Sequence, residues 1–166
     1  MNVVFLDFDG EINTYHDNSR EAIENRIKIL SEICNDYNCK VVIEASIKRE
    51  IDEETLETSI EWVKEIFDLF KKYNIDCIGR TPVISKKINS YSEIPIWKED
   101  EIELYLSNHP EINHYCVIDD DDLAPNNFDL NKVRDHLVKT MFYSSDSSKE
   151  GLLEEHKEVV GKIIRR

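Results

Sequence analysis

Glycine and proline are scarce in this sequence of 166 residues, which contains only four of each. A chain with so few breakers of helices and strands is expected to be ordered rather than a linker or a low-complexity segment. Long apolar runs are also missing, because no stretch approaches the roughly 20 apolar residues that span a bilayer. The first residues lack the basic and then apolar pattern of a signal peptide. We therefore expect no membrane association and a cytoplasmic location.

Cysteine pairs of the C-x-x-C type are absent as well, although the chain contains four cysteines. Three of Cys34, Cys39, Cys77 and Cys116 fall inside or beside apolar runs. Cysteines in such positions are typical of buried, reduced thiols that behave as small apolar side chains. The pattern therefore favours buried thiols over a disulfide or a zinc site.

Basic residues are outnumbered, with 21 lysines and arginines against 35 aspartates and glutamates and a formal net charge of −14. Binding along a nucleic-acid backbone depends on lysines and arginines that displace counterions. We therefore expect no bulk nucleic-acid binding. A locally basic pocket that holds one phosphate or one strand end is still compatible with this composition.

Short apolar runs alternate with amphipathic stretches along the chain. We predict strands at residues 3–6, 41–43, 75–78, 115–118 and 136–140, and helices at residues 20–36, 54–73, 98–107 and 151–164. This alternation predicts one α/β domain over residues 1–166, a three-layer sandwich around a mainly parallel five-stranded sheet. Residues 80–97 have no clean period, so we predict a loop with at most one short hairpin, too small for a large cap.

Polar side chains follow three of these strands near the point where each strand ends. Asp7 and Asp9 follow the first strand, Ser46 comes shortly after the second, and Asp119 follows the fourth. The carboxyl ends of parallel strands meet at one edge of the sheet, which is where ligands bind in such folds. Because residues i and i+2 of an extended chain point to the same side, the carboxylates of Asp7 and Asp9 are expected together. Gly10 then allows a sharp turn.

Carboxylates gathered at this edge indicate phosphoryl chemistry. Asp7, Asp9, Asp119 and Asp120 would repel one another, and a hard divalent cation with oxygen ligands relieves that repulsion, Mg²⁺ being the best fit. One carboxylate can attack phosphorus, while a second donates and accepts the proton. A hydroxyl and a lysine can hold the phosphoryl oxygens as negative charge develops. No Gly-rich P-loop motif for a nucleoside triphosphate is present.

The segment DFDGEIN resembles the first motif of the haloacid dehalogenase (HAD) superfamily, D-x-D-G followed by a small or apolar residue and then Thr or Asn. VVIEAS ends in Ser46, where that superfamily has its second-motif Ser or Thr. Lys98 matches the position of the third-motif Lys or Arg, and YCVIDDDD resembles the fourth, acidic motif. With GRTP and EGL further along the chain, the spacing is most similar to the small capless HAD domain of RNA-repair "Swiss army knife" proteins.

This resemblance implies a Rossmann-like HAD core and a role for each matching residue. Asp7 would be the nucleophile and Asp9 the general acid and base, with its backbone carbonyl also offered to Mg²⁺. Ser46 and Lys98 would bind the transferring phosphoryl group. The implied cofactor is Mg²⁺, and its ligands are drawn from the residues Asp7, Asp9, Asp119 and Asp120.

Several positions leave alternatives open. Lys86 or Lys87 is the alternative to Lys98 as the phosphate-binding lysine. Lys48 and Arg49 either contact a substrate phosphate or face water. The family usually has a small or apolar residue where this chain has Glu11, and the subgroup tends to have Ser where the chain has Glu44 and Ala45. These departures are compatible with a narrower substrate range and also with weakened catalysis.

Two functions follow from this reading. The first is a Mg²⁺-dependent phosphatase that acts through an aspartyl-phosphate on a phosphorylated nucleic-acid end, a phosphoprotein or a small phosphate ester. The second is a catalytically weak HAD-fold binding or regulatory module. The complete set of catalytic residue types favours the enzyme, and the sequence leaves the oligomeric state undetermined.

Overall fold

The computed structural model describes residues 1–84, 86–89, 92–94, 98–123 and 133–165. Strands and helices alternate along the chain as the sequence predicts. In chain order the elements are β1 (Asn2–Leu6), α1 (Arg20–Tyr37), β2 (Cys39–Ile43), α2 (Glu61–Lys72), β3 (Cys77–Arg80), β4 (Lys86–Asn89), β5 (Ser92–Ile94), α3 (Lys98–Asn108), β6 (His114–Asp119), β7 (Leu137–Lys139) and α4 (His156–Ile164). Short 3₁₀ helices occur at Ser46–Glu50, Arg134–His136 and Ser147–Lys149.

The central sheet has five strands in the order β3-β2-β1-β6-β7, and all of its pairs are parallel. The first strand of the chain therefore lies in the middle of the sheet. Its residues Val3, Val4, Phe5 and Leu6 are fully buried. A continuous apolar run suits this position because helices cover both faces of a parallel sheet.

The two faces of β1 belong to two apolar clusters, one on each side of the sheet, where the helices pack. Val4 and Leu6 lie in the cluster that also holds the buried residues of α1, α2 and α4. Val3 and Phe5 lie in the other cluster, with Ile102 of α3. The predicted three-layer α/β sandwich with a five-stranded parallel sheet is confirmed, and the prediction that residues 1–166 form a single domain stays a prediction.

Two helices begin later than the periodicity predicts. The helix predicted over residues 54–73 begins at Glu61, because residues before it form a turn. In that turn Asp52 accepts backbone N–H bonds from Glu54 at 2.9 Å and Thr55 at 2.8 Å, and Leu56 has a positive φ of 58°. An aspartate that bonds backbone groups two and three residues ahead favours a turn over a helix. The last helix similarly begins at His156 rather than at residue 151.

The described residues contain no large cap over the sheet. The predicted hairpin is present as the antiparallel pair β4–β5, which follows β3 and precedes α3 in the chain. Residues 7–19, which connect β1 to α1, contain no helix and no strand longer than an isolated bridge. Within the described residues, the connections at the carboxyl edge of the sheet therefore form no large cap. None of the helices in the described part of the chain combines the length and apolar character that crossing a bilayer requires.

Candidate active site and metal centre

Three carboxyl side chains lie side by side at the carboxyl edge of the sheet. Leu6, the last residue of β1, pairs with the residues that immediately precede Glu44 and Asp119 on the neighbouring strands. Asp7, Glu44 and Asp119 therefore occupy equivalent positions on three adjacent strands, whose spacing in a sheet is about 4.8 Å. All three are at least nine-tenths buried. By strand alternation they point to the face that α3 covers.

Lys98, the first residue of α3, places its ammonium group among these carboxylates. Its Nζ donates to Asp7 Oδ2 and to Asp119 Oδ2, both at 2.9 Å, and lies 3.9 Å from Glu44 Oε1. The helix begins over the end of β1, so its first side chain reaches the edge of the sheet. This geometry supports Lys98 as the phosphate-binding lysine, while the side chains of the alternatives Lys86 and Lys87 lie outside the described part of the structure.

The D-x-D-G turn brings the chain close to Asp120, the residue that follows β6. Gly10 has a φ of +102°, a conformation that side chains other than glycine rarely adopt. A Cβ atom on Gly10 would lie 2.5 Å from Cγ of Asp120, so glycine is also required by the close approach. The preceding Phe8 is buried, and its N–H donates to Asp7 Oδ1 at 2.7 Å. The turn thus fixes one oxygen of Asp7 and leaves the other to Lys98.

Asp9 does not join Asp7 in the way that strand alternation predicts. Its side chain is exposed, whereas Asp7 is buried. Strand β1 ends at Leu6, and the chain turns from that point onward, with Asp9 in an isolated bridge to Asn13. The rule that residues i and i+2 share a face holds only for an extended chain, which corrects that expectation. The assignment of Asp9 as a metal ligand, or as the proton carrier, stays a prediction.

Glu11 takes the place in the cluster that was expected for Asp9. One carboxylate oxygen from each of four residues lies within 4.8 Å of the others, and these residues are Asp7, Glu11, Asp119 and Asp120. Three of the four are the residues that the sequence indicates for the metal. Glu11 is fully buried, and its Oε1 accepts a hydrogen bond from Thr140 Oγ1 at 2.6 Å. Its other oxygen, Oε2, has no hydrogen-bond partner in the described structure.

Burial and mutual repulsion raise the pKa values of three carboxyls in the cluster. The pKa of Asp7 rises from 3.8 to about 6, because loss of water and the charge of Asp119 outweigh the attraction of Lys98. Burial and the charge of Asp119 also raise the pKa of Asp120 to about 6. The pKa of Glu11 lies well above its ordinary value, chiefly through burial and then through the charge of Asp7. Without a cation, this edge of the sheet therefore holds protons near neutral pH.

The pKa of Glu44 is raised, whereas the pKa of Asp119 is lowered. Burial first, and then the charge of Asp119, raises the pKa of Glu44 well above its ordinary value. Neither oxygen of Glu44 has a hydrogen-bond partner in the described structure, so an ionised Glu44 would be a buried charge without a donor. Burial alone would raise the pKa of Asp119, but the interaction with the neighbouring carboxyl of Glu44 and the charge of Lys98 outweigh it and lower the pKa. Asp119 is therefore the carboxyl that stays ionised.

This donor set suits a hard divalent cation. Carboxylate oxygens are the ligands that Mg²⁺ and Ca²⁺ prefer, and four of them converge here. The unpartnered Oε2 of Glu11 is an acceptor that has no donor in the protein. Buried polar atoms are normally satisfied, so an unpartnered carboxylate oxygen among three other carboxyls is compatible with a ligand of a cation. Mg²⁺ is the ion that HAD proteins generally use.

Ser46 and Lys48 differ in how they relate to this edge. Ser46 begins the 3₁₀ helix after β2 with an exposed side chain, and its hydroxyl makes no hydrogen bond with the described residues. Its role as a phosphate ligand stays a prediction. Lys48 is buried, and its Nζ donates to Thr81 Oγ1 at 2.7 Å and to Glu101 Oε1 at 2.8 Å. Lys48 therefore does not face water, whereas Arg49 is exposed, and a contact of either residue with a substrate phosphate stays a prediction.

Reading the sequence missed Glu44 and Glu11 as members of the site. A signal for Glu44 was available, because it stands one residue after the run VVI, as Asp119 stands one residue after CVI. Counting the same offset from each apolar run places Glu44 beside Asp7. Glu11 gives no comparable signal, since its position depends on the fold of the turn and on Thr140.

A sequence model of the HAD domain in Swiss Army Knife RNA repair proteins matches residues 3–156 of the chain. The chain belongs to this family. The match spans β1 through the first residue of α4, and so includes all of the residues that form the site. A search of curated proteins gave no match. The HAD assignment supports a hydrolase of the phosphatase superfamily, in agreement with the fold and with the buried acidic cluster.

Proposed function

We propose that the protein is a Mg²⁺-dependent phosphomonoester hydrolase that acts through an aspartyl-phosphate on Asp7. The observation that carries this proposal is the position of Lys98, whose ammonium bridges Asp7 and Asp119 inside the carboxylate cluster. A nucleophile, a cation for the phosphoryl oxygens and a metal-binding set thus meet at one point. When bound by Asp7, Asp119 and Asp120, Mg²⁺ would neutralise charge on the phosphoryl oxygens.

Asp7 is held in the orientation that a nucleophile needs. One of its oxygens accepts the Phe8 N–H, and the other faces Lys98. In the first step this carboxylate attacks phosphorus, the bond from phosphorus to the ester oxygen breaks, and the leaving oxygen takes a proton from Asp9. In the second step Asp9 removes a proton from water, which attacks phosphorus and releases phosphate from Asp7. The exposed position of Asp9 suits an exchange of protons with solvent.

Lys98 and Ser46 would hold the phosphoryl group through both steps. Burial alone would lower the pKa of Lys98, but the neighbouring carboxyls of Glu44, Asp7 and Asp119 raise it. Lys98 therefore carries a positive charge at the edge of the sheet. Ser46 offers a hydroxyl from the exposed end of β2. A fixed cation and a hydroxyl donor at the transferring group stabilise charge that develops in the transition state.

The substrate that we propose is a phosphate monoester, and a nucleic-acid end is the first to test. The family to which the chain belongs is described by its place in RNA repair proteins, and the described residues form no large cap over the edge of the sheet. The net charge of −14 opposes binding along a nucleic-acid backbone but not the capture of a terminal phosphate. A phosphoprotein and a small phosphate ester are the other classes.

A catalytically weak binding or regulatory module is the second candidate. Glu11 and Glu44 favour it, since both bring a buried carboxyl close to the position of a negatively charged phosphate. Carboxyls that remain ionised there would repel the substrate. The enzyme therefore depends on a cation or on protons to neutralise them.

One assay separates these two functions. Phosphate release would be measured from an aryl phosphate and from 3′- and 5′-phosphorylated oligonucleotides, with Mg²⁺ and with a chelator. We expect Mg²⁺-dependent turnover that falls by at least about 1,000-fold in Asp7→Asn, as is typical when a covalent nucleophile is removed. Asp122→Asn, on an exposed residue outside the cluster, is the matched control. Equal rates in wild type and Asp7→Asn on every substrate would favour the module.

A further inference from the structure

We propose that Glu11 is a direct carboxylate ligand of the bound cation, in addition to the aspartates of the acidic motifs. This inference rests on the proposed function, because the cation is the one that the phosphatase uses. It assigns a metal-binding role to a residue whose position usually carries a small or apolar side chain in proteins that this chain resembles.

The position of Glu11 is fixed by contacts from three parts of the chain. Its own N–H donates to the Phe8 carbonyl at 3.3 Å, and its carbonyl accepts the Leu152 N–H at 3.0 Å. Its side chain accepts the Thr140 hydroxyl at 2.6 Å from the end of β7. Ligating carboxylates are commonly oriented by hydrogen bonds from residues behind them, and Thr140 supplies such a bond.

Thr140 bonds only one of the two carboxylate oxygens of Glu11, and the other oxygen, Oε2, has no partner in the described structure. Glu11 is fully buried, and its Oε2 meets no hydrogen-bond donor in the described structure. An ionised Glu11 would therefore be a buried charge beside other carboxylates, which is costly. A protonated Glu11 would instead bury an O–H that donates to nothing. Neither state satisfies the group within the protein alone.

A cation among the four carboxylates resolves both problems. Glu11 contributes one of the oxygens that lie within 4.8 Å of one another, together with Asp7, Asp119 and Asp120. Ions of this kind take six or more oxygen ligands, so four carboxylates still leave positions for water and a phosphate oxygen. The charge of the ion also offsets the repulsion that this cluster otherwise carries.

The test is metal binding by Glu11→Gln, measured on the full chain by isothermal titration calorimetry with Mg²⁺ and separately with Ca²⁺. Glutamine still accepts the Thr140 hydroxyl, so the fold should be retained, while the negative charge is lost. We expect the affinity for both ions to fall at least about tenfold, which is the scale of losses at metal ligands and their supports. Thermal unfolding with and without each ion gives a second readout.

Two variants separate ligation from other effects. Glu99→Gln removes a buried carboxyl that also has an unpartnered oxygen but lies outside the cluster, and we expect less than a threefold change in affinity. Thr140→Val removes the hydroxyl that orients Glu11, and we expect a loss of a few-fold. If Glu11→Gln does not fold, Thr140→Val decides the question, and an unchanged affinity in it contradicts the proposal.

The outcomes for the two proposals differ. A wild type that binds neither ion contradicts the proposed function and this inference together. A wild type that binds metal while Glu11→Gln binds it equally well overturns the role of Glu11 and leaves the phosphatase standing. An equal loss in Glu99→Gln shows that charge alone is responsible, and it also overturns the assignment of Glu11 as a ligand.

Discussion

Lys98 and Lys48 both donate to acidic side chains, but Lys48 is buried, Lys98 is half-buried, and the surroundings of the two lysines differ in charge. Lys48 bonds one carboxylate, Glu101, and one hydroxyl, Thr81. The second oxygen of Glu101 accepts the Ile84 N–H at 3.2 Å, so both charged groups are satisfied. This arrangement joins the 3₁₀ helix after β2 to the first turns of α3, and its charges balance.

Lys98 lies among more carboxyls than it can neutralise. It contacts Asp7 and Asp119, and Glu11 and Glu44 nearby retain oxygens without partners. A structural ion pair is stable when its charges balance and its hydrogen bonds are complete, as at Lys48. The unbalanced group at Lys98 is instead what a site for a cation and a phosphate requires. The comparison therefore indicates a structural role for Lys48 and supports the proposed phosphate-binding role of Lys98.

The largest effect is expected when the balanced pair is broken. Lys48→Met leaves the carboxylate of Glu101 buried without its cation, so the free energy of unfolding should fall by about 3–5 kcal/mol. Urea denaturation measures the change. The double variant Lys48→Met/Glu101→Gln removes the unpaired charge and should recover more than half of the loss. Bound Mg²⁺ should stabilise wild type and Lys48→Met equally, because the ion acts at the other cluster. A difference between the two proteins that disappears in Mg²⁺ would therefore contradict the structural role.

A somewhat smaller effect is expected at the unbalanced site. Lys98→Met removes the cation that faces the phosphoryl group, and Mg²⁺-dependent phosphate release should fall by about 10²–10³-fold, as when one transition-state donor is lost. Lys86→Met and Lys87→Met are the matched variants, since the sequence leaves these lysines as alternatives. A large loss in either of them, with Lys98→Met near the wild-type rate, would reverse the assignment.

The smallest effect concerns pH in the absence of metal. The pKa of Asp7 is about 6 in the folded chain and 3.8 ordinarily, so between these values the folded chain binds more protons than the unfolded chain. Stability contributed by the protonated group is then lost as the pH rises through 6. Asparagine carries no charge at any pH, so in chelator at pH 7 Asp7→Asn should be more stable than wild type by on the order of 1–3 kcal/mol. This difference in the free energy of unfolding should become smaller toward pH 4.

Urea denaturation of both proteins at several pH values measures this difference, and excess Mg²⁺ should abolish it, because the ion favours the ionised carboxylate. Lys48→Met serves as a control, since its loss of stability should not respond to Mg²⁺ in this way. If wild type and Asp7→Asn have equal stability at pH 7 in chelator, the ionised carboxylate of Asp7 does not destabilise the folded chain, and the prediction is wrong.

Much of the fold could be predicted because the apolar runs are short and clear. The run at residues 3–6 predicts a strand buried on both faces, and β1 lies at the centre of the sheet. The start of α2 could not be predicted from periodicity alone, since residues 54–60 have apolar spacing but follow Asp52, whose side chain bonds the backbone of a turn. A local hydrogen bond outweighed the periodic pattern there.

The part of the site that lies directly after the ends of strands could be predicted from the sequence. Asp7, Asp119 and Asp120 meet as the sequence indicates, because parallel strands bring their carboxyl ends to one edge. The place of Asp9 was not predictable by strand alternation, since β1 ends at Leu6, three residues before Asp9. A turn has no fixed period, so the direction of a side chain within it depends on contacts.

The sequence by itself determined the fold class, the family and the edge of the sheet at which acidic side chains gather, because these depend on apolar runs and on residues close together in the chain. Tertiary structure decided which acids share the site. Glu11 reaches the cluster through Gly10, Thr140 and Leu152, and Glu44 reaches it through strand register. The contacts of Glu11 with Thr140 and Leu152 join residues more than one hundred positions apart and leave no periodic trace in the sequence, so only the folded chain reveals the place of Glu11.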